Sequence, residues 1–323
     1  MDEFSLIQRF FSAANLDTDN NDVLLGIGDD TAIIKAPQDE ELLFTTDTLI
    51  SGVHFPEDTD PVAIGHKSLA VNLSDIAAMG GQARWFTLAL SLPDVDAHWL
   101  QAVSNGILSL AKKFDVSLVG GDTTRGPLSI TISVIGSAPE GTAIRRSGAG
   151  TGDSIFVTGK PGMAALGLAA IKGSLALPGA AQGIFQQKLD YPPSRLLEGG
   201  FLRNYASSMI DISDGLAADL GHILAASHCG AVIDTDSLTC WQTELLTLPD
   251  SRLLDAALYG GDDYELLFTV PADMSISLEQ DWPGSFSPLS RIGEITEDTG
   301  IMMRDNSGNL MKITARGYNH FHD

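Results

Sequence analysis

Apolar and polar positions along the chain follow two rhythms, one helical and one of short strands. From Pro61 to Met79, Ile64, Leu69, Leu73 and Ile76 recur at helical spacing, which predicts a helix. Asp96 to Phe114 predicts a second helix, acidic at its start and closed by Lys112 and Lys113, as the helix dipole favours. Short runs rich in apolar residues and Thr predict strands at Val23–Leu25, Ala32–Ile34, Leu42–Thr46, Trp85–Leu92, Ser117–Val119 and Leu128–Ile135. A glycine-dense stretch from Ala138 to Asp153 then interrupts the pattern. Beyond it a second series begins. Strands are expected at Ile155–Thr158, Met209–Ile212, Ala231–Ile233 and Leu266–Val270, and helices at Met163–Ile171, Pro193–Tyr205 and Leu216–Ser227. Pro271 to Pro288 is polar and poorly periodic and reads as a segment containing loop. The alternation gives an α/β (α+β) fold in two domains, 1–138 and 154–323, joined by a linker at 139–153.

Composition agrees with two packed domains. The chain has 323 residues, 44% hydrophobic and only 19% charged, which excludes a disordered acidic tail. Its 42 Asp and Glu against 19 Lys and Arg give a formal net charge of −23. That field excludes nucleic-acid binding through overall charge and disfavours an anionic membrane surface. Two cysteines, Cys229 and Cys240, are too few for a disulfide framework, a four-cysteine zinc site or an iron–sulfur cluster. The start, Met1-Asp2-Glu3-Phe4, has no basic segment or apolar run of a leader, and no apolar run reaches the roughly 18 residues of a membrane helix. The expectation is a soluble, cytoplasmic protein.

The acidic residues gather at particular places. Gly26-Ile27-Gly28-Asp29-Asp30, Gly120-Gly121-Asp122-Thr123-Thr124, Asp211-Ile212-Ser213-Asp214-Gly215 and Gly260-Gly261-Asp262-Asp263-Tyr264-Glu265 set carboxylates beside glycine or hydroxyls, usually just past an apolar strand. Thr45-Thr46-Asp47 lies at a strand end, and Asn72 and Asp75 share one face of the first long helix. Strand ends of an α/β sheet converge on a ligand-binding rim. Carboxylates and hydroxyls are hard donors suited to Mg²⁺ or Ca²⁺. Crowded carboxylates need a cation or a proton to coexist. Each group also has a plain structural reading. Gly-Asp pairs make turns, Asp211 or Asp214 caps the following helix, and Asp75 pairs with Arg84 or Lys67.

Absent motifs narrow the chemistry. Gly159-Lys160 is followed by Pro161, so there is no P-loop. Gly148, Gly150 and Gly152 miss the dinucleotide spacing and precede a strand. Asp17, Asp19 and Asn21 imitate the start of an EF-hand loop, but Asp22 replaces the required glycine. There is no Gly-x-Ser-x-Gly elbow and no His-Glu-x-x-His.

The segments at 26–30, 45–49, 71–80, 120–124, 211–216 and 260–266, with Gly317-Tyr318-Asn319-His320-Phe321, resemble the thiamine-monophosphate kinase family over essentially the whole chain. The wider superfamily includes aminoimidazole ribonucleotide synthetase, selenophosphate synthetase and a hydrogenase-maturation protein. The chain lacks the N-terminal reactive Cys of the second and the C-terminal Cys of the third, since no Cys precedes residue 229 and the end is His320-Phe321-His322-Asp323. Some kinases carry Glu where Asp262 stands. The resemblance implies a synthetase-like fold whose N-terminal mixed sheet pairs across a homodimer barrel, with a C-terminal α/β domain. It implies γ-phosphoryl transfer from the co-substrate ATP to thiamine monophosphate, with several Mg²⁺ ions. Carried onto matching positions, Asp30, Thr45, Thr46, Asp47, Asp75, Asp122, Asp211 and Asp214 hold Mg²⁺. Gly121, Asp122, Arg146 (or its neighbour Arg145) and Ser213 contact ATP. His54, Asp262 and Tyr318 contact thiamine monophosphate, with Asp29 and Asp263 as second-tier candidates. The bland readings are a solvated linker arginine pair, an incidental loop histidine and a packing tyrosine. Two other activities stay open on the sequence: an ATP-dependent ring-closing synthetase of the same superfamily and a non-catalytic metal- or nucleotide-binding module.

Overall fold

The computed structural model describes residues 3–12, 22–177, 179–239 and 250–318. The EF-hand-like Asp17–Asn21 stretch, Cys240 and the terminal His320-Phe321 lie outside the described residues. The chain divides into two units, Met1–Ile76 with Gly81–Ala143, and Ala77–Gly80 with Ile144–Asp323.

In the first unit, α1 (Glu3–Ile7) precedes a small ribbon of β1 (Val23–Leu25) and β2 (Ile33–Ile34). Then follow β3 (Glu40–Ile50), α2 (Pro61–Ala78), β4 (Gln82–Leu92), α3 (Ala97–Lys113), β5 (Ser117–Arg125) and β6 (Ser129–Pro139). The main sheet is mixed, in the order β3-β6-β4-β5, with only β4 and β5 parallel. Lys112 and Lys113 fill the last turn of α3, as the sequence predicts, and its acidic start, Asp96, stands just outside the helix as a cap that accepts from the amides of His98 and Trp99. The first part of strand β6 alternates: Ile130, Ile132 and Val134 are fully buried while Thr131 and Ser133 are not. Strand β3 alternates in the same way. Leu43 and Leu49 are buried on one face, and Leu42, Phe44 and Ile50 are exposed on the other.

In the second unit come β7 (Ser154–Thr158), α4 (Met163–Ile171), α5 (Gly179–Asp190), α6 (Leu196–Leu202), β8 (Ser208–Asp211), α7 (Leu216–Ser227) and β9 (Gly230–Asp234). They are followed by α8 (Thr235–Thr239), α9 (Asp250–Tyr259), β10 (Leu266–Val270), α10 (Ala272–Asp281), β11 (Leu289–Thr296), β12 (Gly300–Arg304) and β13 (Leu310–Ile313). Seven strands form one sheet in the order β13-β12-β9-β11-β7-β10-β8, antiparallel except between β12 and β9. Its core joins Ile155, Val157, Ile210, Leu267 and Ile292 to Leu216, Leu220 and Ile223 of α7.

Several elements differ from the sequence expectation. Strand β3 extends past Leu42–Thr46 in both directions, because eleven consecutive positions find partners on β6. The helix expected at Pro193–Tyr205 shrinks to Leu196–Leu202. The segment read as loop holds α10, which buries only Ser275 and Leu278 and so shows no apolar stripe. Helices α5 and α9 were not foreseen; Phe185 and Leu253 pack with Met163 and Leu166 of α4 in a small separate cluster. No helix among the described residues is long and apolar enough to cross a membrane.

Candidate active site

Alternation along β3 decides which first-unit residues meet. Thr45 and Asp47 share the face of the buried Leu43 and Leu49, and α2 lies against that face. The Thr45 hydroxyl donates to Asp75 Oδ2 of α2. The amide of Asp47 donates to Asn72 Oδ1 at 3.1 Å, and Asn72 Nδ2 donates to the Ser68 carbonyl at 3.2 Å. Thus Asn72, fully buried one turn before Asp75, fixes the main chain at Asp47. Thr46 points to the opposite face, where its hydroxyl bonds Ser133 Oγ at 2.8 Å. Burial and the nearby Asp75 charge push the Asp47 carboxyl up to about 6. Arg84 does not supply the counter-charge read from the sequence; it pairs with Glu40 at 2.7 Å. Lys67 donates to the His54 carbonyl at 3.2 Å. His54 accepts the amide of Ile50 on Nδ1 at 2.9 Å, which leaves Nε2 as the ring nitrogen able to donate.

A second first-unit group lines a cavity of about 840 Å³ between the 26–32 loop and β5. Asp29, Asp30, Gly121 and Asp122 all face it. Asp29 Oδ1 accepts the Asp30 amide at 2.8 Å, which folds the acidic turn back on itself. Gly121 runs so close to β4 that a Cβ there would stand 1.9 Å from the Leu88 carbonyl. Only glycine allows this stretch of β5 to stay paired while its main chain borders the cavity.

In the second unit three loops are laced together by main-chain bonds. Asp211 is buried at the end of β8, opposite Leu266 of β10. Past it, the amides of Asp262 and Tyr264 donate to the carbonyls of Ser213 and Ile212 at 2.9 and 2.8 Å. The amide of Tyr318 donates to the Asp214 carbonyl at 3.0 Å. Asp211, Ser213, Asp214, Asp262 and Tyr318 therefore form one neighbourhood, although 107 positions separate the first from the last. Asp262 and Tyr264 both hold positive φ, 68° and 50°, a conformation disfavoured for side chains of this size. The Tyr264 hydroxyl bonds Asp262 Oδ1 at 3.2 Å.

The acidic residues of this unit divide by direction. Neither Asp211 nor Asp214 caps α7; its first residue follows Gly215, which offers no side chain. Asp219, inside the helix, instead ties down the turn that precedes it. Its Oδ2 accepts from the amides of Ser213, Asp214 and Gly215 at 3.1, 3.2 and 3.2 Å. Burial and the Asp214 charge push its carboxyl up to about 7 against those three bonds. Asp263 turns inward as well, accepting the amides of Gly162 at 2.6 Å and Ala164 at 3.3 Å where α4 begins. Burial raises its carboxyl well above the usual range. Arg146 is exposed, and its carbonyl accepts from Ser227 at the far end of α7 from Ser213. The 12 residues of α7 separate the two ends by about 18 Å.

Among the described residues, no three His, Cys, Asp or Glu side chains converge into a ready metal cage. Asp47 and Asp75 lie close enough for their charges to interact, with the Thr45 hydroxyl on Asp75, a donor set that fits Mg²⁺ sharing its shell with phosphates and water. Three contributors escaped the sequence reading as site residues. Asn72 was visible only as the helix-face neighbour of Asp75. Asp219 looked like an ordinary acidic residue of a first helical turn, and Tyr264 was marked only as part of the 260–266 segment.

The AIR synthase related protein N-terminal domain matches residues 28–138, and its C-terminal domain matches residues 150–306. The chain is 44% identical over 320 residues to the thiamine-monophosphate kinase of Escherichia coli K12, covering 99% of this chain and 98% of that protein. The crystal structure of thiamine-monophosphate kinase from Stenotrophomonas maltophilia superposes with a TM-score of 0.86 at 43% identity, covering 96% of this chain and 98% of that one. AaThiL complexed with AMPPCP and TMP superposes with a TM-score of 0.74 at 29% identity, covering 91% and 92%.

Proposed function

The chain belongs to the thiamine-monophosphate kinases, and from that premise we infer that it transfers the γ-phosphoryl group of ATP to thiamine monophosphate, giving thiamine diphosphate and ADP. The observation that carries this reading is 44% identity along 99% of the chain. A relative bound to an ATP analogue and TMP supports it.

The acceptor is a phosphate monoester with a second pKa of about 6, so its attacking oxygen is already largely ionised near neutrality. No strong general base is required, and the barrier lies in bringing two anions together. In the first unit, Asp30, Thr45, Asp47, Asp75 and Asp122 offer hard oxygens for several Mg²⁺ ions. Thr46 joins this set on the family resemblance alone, since its hydroxyl is engaged by Ser133 Oγ on the other face of the sheet. In the second unit, Asp211 and Asp214 are the corresponding donors. When bound, Mg²⁺ neutralises phosphate charge and orders an in-line approach. Gly121, Asp122 and Ser213 contact ATP, and the exposed Arg146 guanidinium answers phosphate charge. His54 offers its Nε2 proton to thiamine monophosphate. Asp262 and Tyr318 form the rest of that contact, with the tyrosine ring suited to a cationic thiazolium.

The functional form in this reading is a homodimer. The outward face of β3 leaves Phe44 70% exposed and Leu42 53% exposed, an apolar band that suits a second copy of the sheet. The cytoplasm is the compartment where ATP and a charged phosphate monoester meet. Incubating the protein with ATP, Mg²⁺ and thiamine monophosphate tests the activity directly. Thiamine diphosphate and ADP should form in equal amounts, and absence of thiamine diphosphate rejects it.

A further inference from the structure

We propose that Asp219 is a positioning residue of the phosphoryl-transfer site: by collecting three successive amides on one oxygen, it fixes the Ser213–Gly215 turn so that only side chains of that turn face ligand. The proposal rests on the placement of Ser213 and Asp214 in the ligand-binding set.

Successive main-chain amides in a turn form a concavity that attracts anions when they have no other partner. Here those donors are spent. Asp219 is only 2% exposed, four residues into the chain beyond Gly215, and takes the amides of residues 213, 214 and 215. Its own amide donates to the Gly215 carbonyl at 3.0 Å, so the turn and the first turn of α7 close on each other. The carbonyls of the same turn are also engaged, Ser213 by Asp262 and Asp214 by Tyr318. With this main chain committed, the Ser213 hydroxyl and the Asp214 carboxylate are what the turn presents. A turn whose amides could have met an anion is thereby left to present a hydroxyl and a carboxylate. Buried and bonded to the turn, Asp219 acts through Ser213 and Asp214.

The test compares Asp219→Ala, Asp219→Asn and Asp214→Ala. Hydrogen exchange at the amides of residues 213–215 is read alongside half-saturating Mg²⁺, KM for ATP and kcat. In Asp219→Ala the three amides should exchange faster, and half-saturating Mg²⁺ and KM for ATP should rise roughly 10–100-fold, with a smaller fall in kcat at saturation. Asp219→Asn keeps an acceptor oxygen and the fold, and should fall between wild type and Ala. It decides the matter if the Ala variant does not fold. A folded Ala or Asn variant with wild-type half-saturation for both Mg²⁺ and ATP overturns the proposal, provided that Asp214→Ala raises the Mg²⁺ requirement. If Asp214→Ala also leaves that requirement unchanged, the placement of the turn in the ligand set is at fault, and the proposal falls with it.

Discussion

Arg195 holds Glu265 through two hydrogen bonds of 2.7 Å each, one from Nε and one from a terminal nitrogen. The same carboxylate accepts the Thr158 hydroxyl at 2.7 Å, and Arg195 reaches Glu198 at 3.2 Å. Burial alone would lower the Arg195 pKa, but the bonds and charges of Glu265 and Glu198 raise it. The last acidic residue of the Gly-Gly-Asp-Asp-Tyr-Glu segment is therefore a buried tie to α6 within the second unit.

Removing one partner of that pair should be expensive. Arg195→Ala strands a carboxylate that is 3% exposed, and we expect a loss of about 3–5 kcal/mol in chemical unfolding. Gly159→Ala should damage the same tie, since a Cβ there would stand 1.9 Å from Glu265 Oε1 at a φ of 65°. Wild-type stability in the Arg195 variant would show that the tie is not supporting the fold.

Asp47→Ala should abolish turnover without harming the fold. It removes one of two carboxylates that repel each other, so the melting temperature should hold or rise. Meanwhile kcat/KM should fall by more than roughly 100-fold, the scale of losing one electrostatic stabiliser at a transferring phosphoryl group. Chelating Mg²⁺ with EDTA should stop the wild-type enzyme, and adding Mg²⁺ back should restore it. Calorimetry and a thiamine diphosphate assay on the same preparation check both halves.

Tyr264→Phe should act on substrate binding. It removes the hydroxyl that bonds Asp262 Oδ1 while keeping the ring and the strained backbone. A roughly 5-fold rise in KM for thiamine monophosphate is expected, with kcat little changed. An equal fall in kcat with KM unaltered would place the hydroxyl in the chemical step instead.

Asp263 predicts a pH signature in stability. Its carboxyl is raised above the usual 3.8, first by burial, so the folded protein holds that proton more tightly than the unfolded chain. The group's contribution is full below the unfolded value and is lost as pH rises through the folded one. Asp263→Asn keeps an acceptor for the Gly162 amide but does not titrate. Unfolding in urea from pH 5 to pH 8 should therefore show wild type losing ground relative to the Asn variant. A constant difference across that range would mean that the pKa is not raised. Asp263→Ala, which leaves two buried amides unmatched, should cost about 1–3 kcal/mol.

The sequence by itself determined the strongly patterned elements. Helices α4 and α7 have the bounds expected from their apolar runs, and α3 runs between the acidic start and the Lys112-Lys113 end that were read for it. Local rules suffice there, because capping, dipole and apolar spacing all act within a few residues. The sequence also marked each acidic segment, since glycine beside carboxylate beyond a strand is a local pattern. What it left undecided was direction. Thr45 and Thr46 are adjacent and chemically alike, yet strand alternation sends one to Asp75 and the other to Ser133. Asp262 and Asp263 are adjacent too, yet one sits beside Tyr264 and the other is buried against Gly162. Asp219 carried no mark beyond its place in a first turn, because its three partners become neighbours only when the turn folds back over α7. Tertiary structure decided these roles because a side chain's partner is set by which face the sheet leaves open and which loop lies across it.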